Sequence, residues 1–270
     1  MNCYASIADL KTSLAVTSTT DDVVMRKIID SSSRMVDRFT GRSFYVQSAT
    51  KYFDGAGARL WIDDLLTVTT LKTDEDGDAT YENTFATTDY ILYDLNKYPK
   101  TYIEISNNSN YGGFASGVKK GVQIVGVFGY GDGISATPYV LDTTLTAAIS
   151  STTALTCTVT AITNLSAGQT ILIDSEQMFI NSITTLTLTV ERGVNGTTAA
   201  LHDNAKALYI YQYPFDVWQA CLDLSSAIYQ NRNKKGIQSE SLGDYSYTIA
   251  QGQANSILSE TISNYRKMRV

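Results

Sequence analysis

The spacing of apolar residues at the start of the chain predicts two helices. After Ser6, and again after Thr19, apolar residues recur every three or four positions, which is helical spacing. Ser6 and Thr19 each stand three residues before an aspartate, an arrangement that resembles a capping box, and Gly41 is typical of a helix stop. We therefore expect residues 1–45 to be mainly helical.

The C-terminal part carries the same periodicity. Pro214 is expected as a first helical residue, and apolar residues follow it at helical spacing up to Tyr229. A last helix is predicted from residues that share one face: Ala254, Leu258, Ile262, Tyr265 and Met268. Such short amphipathic helices are marginal alone, so we expect residues 1–45 and 214–270 to pack into one helical domain.

Between the helical ends the pattern changes to period two, with many β-branched and aromatic residues. This pattern predicts an antiparallel β domain over 46–141, with these strands: Thr50 to Phe53, Arg59 to Ile62, Val68 to Thr73, Tyr90 to Tyr93, Thr101 to Ile105 and Val122 to Phe128.

Residues 142–213 are rich in threonine and alternate in the same way, in LTCTVT, TILIDS, MFINSI and LTLTVE. They predict a second β insertion, a small sandwich or barrel. The expected fold class is therefore α+β, with a discontinuous α-helical bundle from both chain ends and two inserted β units.

Composition removes several kinds of chemistry. His202 is the only histidine, and Cys3, Cys157 and Cys221 share no short spacing, so we expect no metal site, no cofactor and no disulfide framework, but buried thiols. The N-terminus lacks the apolar core of a signal peptide, and no apolar run approaches about 18 residues. We expect a protein made in a cytoplasm, without a membrane segment.

The formal net charge is −6, but it is unevenly distributed. Residues 46–213 carry 9 basic against 17 acidic side chains, whereas the two ends together are slightly basic. Binding of nucleic-acid phosphates needs clustered Lys and Arg, so this balance argues against a protein whose main task is to hold DNA.

One acidic stretch resembles a calcium loop in its composition: Asp74, Glu75, Asp76 and Asp78. A helix-loop-helix calcium site needs Gly at loop position 6 and Glu at position 12, where this chain has Ala79 and Phe85. The favoured interpretation is a solvated turn between two strands.

Two further groups have a chemical and a plain interpretation. Asp174 and Glu176, predicted on one strand face, suit paired-carboxylate glycoside chemistry, but acidic residues are common at strand ends. Arg34, Arg38 and Arg42 follow at intervals of four and predict a basic stripe on the second helix. That stripe is either a solvated face or a surface that meets an acidic partner.

Tyrosine is abundant, with 18 residues against two tryptophans, and it is enriched at interfaces. The polar segment 236–253 alternates Tyr245, Tyr247 and Ile249. This pattern is typical of an arm that adds a strand to a neighbouring chain.

Several motifs, taken in order, resemble the head–tail connector (adaptor) proteins of tailed bacteriophages. They are YASIADLKTSL, DRFTGRSFY, TKYFDG, RLWIDDLLTVTTLKTDEDGD, DYIL, VQIVGVFGYG and GIQSESLGDYSYTI, and they cover about 1–135 and 214–270. The resemblance implies a homo-oligomeric ring, typically of twelve copies, that docks beneath the portal protein at the virion neck. It also implies that a tail or further neck protein docks on the ring and that genomic DNA passes through it without specific binding.

In such relatives the C-terminal segment reaches toward the portal. Carried over to this chain, the resemblance implies a portal or neighbour-subunit interface formed by these residues: Ile237, Leu242, Tyr245, Tyr247, Ile249, Tyr265, Arg266, Lys267 and Arg269. The acidic stretch from Asp74 to Asp78 is then expected to face the channel or the tail. No catalytic residue is implied.

Residues 142–213 are absent from shorter relatives. Their sequence is similar to small β modules that recur in phage virion proteins, so they are expected on the outside or the tail-facing side of the ring. Two alternatives stay open for this unit: a carbohydrate-binding or adhesive virion module, and a glycan hydrolase that uses Asp174 and Glu176.

Overall fold

The computed structural model describes residues 2–232, 239–242, 245–248 and 253–267. Its architecture is α+β, as predicted, with two six-stranded antiparallel sheets and four α-helices among these residues. Within the same residues, no helix is both long enough and apolar enough to cross a membrane.

The two N-terminal helices are α1 (Ile7–Leu14) and α2 (Asp22–Thr40). The predicted capping box of α1 is confirmed, since Ser6 Oγ accepts the Asp9 N–H and the Asp9 carboxylate accepts the Ser6 N–H. The second predicted box is wrong, because Asp21 is the N-cap of α2 and makes no side-chain cap hydrogen bond. Gly41 ends α2 as predicted, with a φ of 68° that suits glycine.

The C-terminal helices are α3 (Phe215–Gln230) and α4 (Gln253–Ile262), and a short 3₁₀-helix (Ser263–Tyr265) follows α4. Pro214 is the residue before α3 and not its first residue. Side chains from all four α-helices enter one buried apolar cluster, which includes Leu10, Met25, Ile29, Val36, Cys221, Leu224, Leu258 and Ile262.

The first sheet contains six strands: β1 (Gln47–Phe53), β2 (Arg59–Thr73), β3 (Asn83–Thr84), β4 (Tyr90–Tyr93), β5 (Lys100–Ile105) and β6 (Val122–Phe128). Their order is β1-β6-β2-β5-β4, with β3 paired to β2. Two predicted strands prove to be one, because β2 runs through 63–67 with register shifts along its length. These shifts let its first part pair with β5 and its second part with β6.

The second sheet also contains six strands: β7 (Tyr139–Thr144), β8 (Thr156–Thr158), β9 (Thr170–Ile173), β10 (Glu176–Thr184), β11 (Thr187–Glu191) and β12 (Ala207–Tyr211). Of these, β7 and β12 were not predicted from the sequence. The order is β7-β12-β9-β10-β11-β8.

The two outer strands of this second sheet meet beyond their ends. Leu145 and Val159 form an antiparallel bridge, the Thr146 N–H donates to Thr158 O at 2.9 Å, and the Thr160 N–H donates to Thr144 O at 3.0 Å. The sheet therefore closes on itself as a small barrel around its own apolar core.

The barrel is fastened to the rest of the chain near the N-terminus. The Asn2 side-chain oxygen accepts hydrogen bonds from Thr170 Oγ1 and Asn195 Nδ2, at 2.5 and 2.9 Å, and Asn195 O accepts the Ser48 N–H at 2.9 Å. A Cβ atom at Gly196 would lie 1.9 Å from Ser48 O, so only glycine allows this approach. The second β unit is thus packed against β1 and the N-terminal segment.

Candidate functional site

The C-terminal segment that the resemblance assigns to an interface contains a β-hairpin. Strands β13 (Ser239–Leu242) and β14 (Tyr245–Thr248) pair antiparallel, with Leu242 opposite Tyr245 and Glu240 opposite Tyr247. Among the described residues, the two strands pair only with each other. Both outer edges of the hairpin therefore carry backbone groups that a further strand can bind.

The hairpin lies between two helices that belong to the same buried core. Helix α3 ends at Gln230, α4 begins at Gln253, and both contribute to the shared apolar cluster. The segment is therefore held at both of its ends, in contrast to a free terminal arm. Three predicted interface residues, Ile237, Ile249 and Arg269, lie outside the described residues.

The end of the described chain is fastened to the junction between α2 and β1. The Lys267 N–H donates to Thr40 O at 2.7 Å, and its ammonium lies 2.9 Å from Asp63 Oδ1. Tyr265 O accepts a hydrogen bond from Arg42 Nε at 2.8 Å. The guanidinium of Arg266 lies over the Phe39 ring, at 5.3 Å from its centroid.

These contacts change the interpretation of the predicted interface residues at the chain end. Burial raises the pKa of Tyr265 to about 12, and its hydroxyl donates to Asp216 at 3.3 Å. Burial alone would raise the pKa of Asp63, but the hydrogen bonds from Lys51 and Lys267 lower it. Tyr265 and Lys267 thus stabilise the fold of the chain itself, and Arg266 is the exposed member of the group.

The predicted basic stripe does not form. Helix α2 ends at Thr40, so Arg42 lies beyond it, where it pairs with Asp64. Arg34 is half-buried, donates to Asn2 O at 2.8 Å and pairs with Asp37 at 3.2 Å. Only Arg38 is exposed, because the other two arginines are drawn into contacts within the chain.

The Arg34 contact lies beside an unusual carboxyl group. Burial raises the pKa of Asp37 to about 6, although Arg34 and a hydrogen bond from the Tyr4 hydroxyl oppose that shift. The guanidinium of Arg34 also lies near the Tyr4 and Tyr45 rings, at 5.4 and 4.9 Å from their centroids. Arg34 therefore helps to hold the N-terminal segment on α2.

The acidic stretch forms the loop between β2 and β3. Asp74 is buried, and its two carboxylate oxygens accept the N–H groups of Gly77 and Ala79 at 2.7 and 2.9 Å. Glu75, Asp76 and Asp78 are exposed. The loop is thus a turn organised by Asp74, as the plain interpretation predicts, and it presents three carboxylates to solvent.

The same loop brings four potential metal ligands together. Asp74, Asp76, Asp78 and Glu82 each have a carboxylate oxygen within 4.8 Å of the others. Oxygen ligands of this kind suit Ca²⁺ or Mg²⁺. Because Asp74 already binds two backbone N–H groups, the geometry of the loop is accounted for by the turn itself.

Glu176 lies at the centre of a buried ionic network in the barrel. Its two oxygens accept hydrogen bonds from Arg192 Nε and a terminal Arg192 nitrogen, at 2.6 and 2.7 Å, and from the N–H groups of Gly193 and Ala200. Neither Glu176 nor the His202 side chain is exposed. A carboxylate with this many fixed donors does not reach a substrate.

His202 joins Glu176 to the neighbouring turn. Its Nε2 lies 2.9 Å from Glu176 Oε2, and its Nδ1 lies 2.8 Å from Asp174 Oδ2. The imidazole thus bridges the two carboxylates, with one carboxylate at each ring nitrogen. Lys206 completes the group at 2.9 Å from Asp174.

The network corrects the prediction that Asp174 and Glu176 share a strand face. Asp174 lies in the two-residue turn between β9 and β10, with a φ of 52°, and Glu176 is the first residue of β10. Hydrogen bonds from His202 and Lys206 lower the pKa of Asp174. Burial alone would raise the pKa of Glu176, but Arg192, the Ala200 N–H and His202 outweigh it and lower that pKa. The pair therefore holds the barrel together and does not form an open acid and base.

A row of aromatic residues on the outer face of the first sheet was not predicted. Tyr93, Tyr102 and Trp61 lie side by side on β4, β5 and β2, with ring centroids 4.7 and 4.9 Å apart. Trp61 is 52% exposed, and Arg59 crosses the Tyr102 ring while pairing with Glu104. The alternation in these predicted strands was a usable signal, because Leu60 and Ile103 point inward and their neighbours must point outward.

The prediction of buried thiols is confirmed. Cys3, Cys157 and Cys221 are all buried and unpaired. Burial raises their pKa values to about 12, 11 and 11 respectively. Thiols of this kind are poor nucleophiles, because the reactive species is the thiolate.

No protein-family model and no curated protein matches this chain.

Proposed function

We propose that this protein is a head–tail connector (adaptor) of a tailed bacteriophage. Copies of the chain form a ring, typically of twelve, beneath the portal protein at the capsid vertex. The ring joins the portal to the tail or to a further neck protein, and genomic DNA passes through its channel without specific binding. The protein is made in the host cytoplasm and ends in the virion neck.

The observation that carries this proposal is the hairpin of β13 and β14, which emerges between two helices of one core and has both edges unpaired among the described residues. Docking by strand addition uses such an edge, where backbone hydrogen bonds give affinity and alternate side chains give specificity. In the proposed ring, the helices of both chain ends form one discontinuous bundle, and the hairpin reaches the portal or a neighbouring subunit.

The acidic loop suits a surface that DNA passes. Glu75, Asp76 and Asp78 are exposed, and no lysine or arginine neutralises them through an ion pair among the described residues. Because phosphates bind to clustered cations, an acidic wall favours sliding over adhesion. In this proposal the loop faces the channel or the tail, and the barrel of residues 142–213 lies on the outside or the tail-facing side of the ring.

The test replaces residues 236–249 with a short Gly/Ser linker and measures assembly with the portal protein by native mass spectrometry. We expect the variant to keep its secondary structure and its unfolding midpoint, because both flanking helices retain their core contacts. We expect it to lose association with the portal ring. The wild-type chain measured alone and with portal supplies the reference for copy number.

Matched point variants separate the hairpin from general surface effects. Tyr245→Ser with Tyr247→Ser should weaken association, whereas Tyr52→Ser, at an exposed tyrosine on the first sheet, should leave it unchanged. Unchanged association after removal of the hairpin contradicts its assigned role. A wild-type chain that stays monomeric in the presence of portal contradicts the connector function itself.

A further inference from the structure

A second feature with no part in the connector proposal is a small pocket between the N-terminal segment and the start of α3. Its volume is about 180 Å³, which is less than a drug-sized ligand needs but enough for a compact group of several heavy atoms. Five aromatic side chains line it: Tyr4, Tyr211, Tyr213, Phe215 and Trp218.

The pocket has one charge, and that charge is negative. Among the described lining residues, Asp9 is the only Asp, Glu, Lys, Arg or His. Asp9 forms no ion pair within the described part of the chain. An aromatic pocket with an uncompensated carboxylate favours a positively charged ligand.

The hydrogen bonds of Asp9 leave one oxygen available. Its Oδ2 accepts the Ser6 N–H at 2.9 Å, the Ser6 hydroxyl at 2.7 Å and the Trp218 indole N–H at 3.1 Å. No described residue donates to its Oδ1. The indole is therefore fixed beside the carboxylate, and the free oxygen remains for a ligand.

The aromatic ring of Phe215, at the mouth of the pocket, is not buried in the core. Phe215 is 85% exposed, the highest exposure among the large apolar side chains of the described residues. A ring face that stays in water at the rim can cover a ligand without loss of core packing. Together the aromatic rings and Asp9 provide the two elements by which proteins recognise organic cations, namely π faces and a nearby negative charge.

We propose that this pocket binds an alkylated ammonium group. Such a cation is weakly hydrated and loses little on entering an aromatic site, whereas hard metal ions favour several carboxylate ligands and Asp9 is the single carboxylate among the described lining residues. The cation lies against the rings of Phe215 and Trp218 and faces Asp9 Oδ1. The Gln169 side chain at the pocket wall is the neighbour for a polar substituent on the ligand.

The experiment titrates the full chain with choline and follows tryptophan fluorescence. The chain has two tryptophans, so a Trp61→Phe background leaves Trp218 as the only reporter. We expect a saturable change with a Kd in about the millimolar range, which one carboxylate and exposed cation–π contacts support. The neutral isostere 3,3-dimethylbutan-1-ol has the same shape without the charge and should bind at least about fivefold more weakly. Potassium chloride at equal ionic strength controls for salt.

Two variants test the residues. Phe215→Ala removes an exposed ring and should weaken choline binding about twofold to fivefold, while Ile134→Ala, at another highly exposed apolar residue, should not change it. Asp9→Asn should weaken binding at least about fivefold, and circular dichroism checks that α1 keeps its cap. Since Phe215 does not support the fold, its variant remains informative if Asp9→Asn is unstable.

The proposal is overturned if choline gives no saturable change up to about 100 mM, well above the expected millimolar Kd. It is also overturned if the neutral alcohol binds as tightly as choline, because the pocket would then select shape alone. Equal binding by wild type and Phe215→Ala would contradict the assigned position of the cation.

Discussion

The two six-stranded sheets place their charged residues differently. In the first sheet, ion pairs such as Arg59 with Glu104 and Lys51 with Asp63 lie at least partly in solvent, and the core beneath them is apolar. In the barrel, Glu176, Arg192 and His202 have almost completely buried side chains, and Glu176 binds the other two. Two antiparallel sheets of six strands thus use ion pairs differently: the pairs named for the first sheet are partly exposed, and those of the barrel are buried.

Closure of the second sheet explains why its charges lie inside. In a closed barrel, the turn between β9 and β10, the residues after β11 and the segment before β12 converge at one end. Glu176 binds donors from Arg192, Gly193 and Ala200, so one side chain joins all three segments. In the open first sheet, Arg59 and Glu104 link the neighbouring strands β2 and β5 at the surface, whereas Asp63 and Asp64 in the middle of β2 bind Lys51, Lys267 and the less exposed Arg42.

The largest expected effect comes from removing the central charge of the barrel. Glu176→Gln keeps the shape but leaves the buried Arg192 guanidinium without its charged partner. Breaking a buried pair in this way typically costs about 3–5 kcal/mol. The free energy of unfolding, measured by chemical denaturation of the full chain, should fall by about that amount. Hydrogen exchange should show the loss in peptides of the barrel before those of the first sheet.

A matched control uses an exposed carboxylate of the same unit. Glu191→Gln, at the end of β11, should change the stability by less than about 0.5 kcal/mol. Replacing Glu176, Arg192 and His202 together by apolar residues of similar volume should recover part of the stability lost in Glu176→Gln, because no buried charge then remains unpaired. A cost below about 1 kcal/mol for Glu176→Gln would show that the buried network contributes no more than the surface pairs of the first sheet.

Acid should reduce the difference between wild type and Glu176→Gln. The pKa of Glu176 is lowered from its ordinary value of 4.5 in the folded state, so the unfolded chain takes up a proton first as the pH falls. The stabilisation by Glu176 is therefore fully present above the ordinary pKa and is lost as the pH falls through the lowered value. Denaturation midpoints measured from pH 7 down to pH 3 should converge. A constant difference over that range would contradict the role of the ionised carboxylate.

The sequence predicted the strands of both sheets better than their connections. Alternation located β4 and β6 with their observed bounds, because each strand has one face on an apolar core. It separated β2 into two strands, since Asp63 and Asp64 in its middle interrupt the apolar pattern. Those carboxylates are tolerated there because Lys51, Lys267 and Arg42 pair with them, and these partners are remote in sequence.

The buried network illustrates what local patterns cannot show. Asp174 and Glu176 are recognisable as a pair in the sequence, but their side-chain partners lie 16 to 32 positions further along the chain. One signal was present in the composition. The only basic side chains of residues 142–213 are Arg192, His202 and Lys206, and all three bind Asp174 or Glu176. These basic residues meet the two carboxylates because the barrel closes, and a period-two pattern does not specify that closure.

The smallest expected effect is at a surface ion pair of the first sheet. Asp63 is half exposed and binds Lys51 and Lys267 at 2.8 and 2.9 Å, so water already screens the pairs that Asp63→Asn removes. We expect a loss of about 0.5–1 kcal/mol in the free energy of unfolding, with Glu82→Gln, at an exposed carboxylate just before β3, as the control. Hydrogen exchange in the barrel should stay unchanged. A loss above about 2 kcal/mol would mean that Lys267 holds the chain end through Asp63 as firmly as Arg192 holds Glu176, and the contrast between surface and buried pairs would then not separate the two sheets.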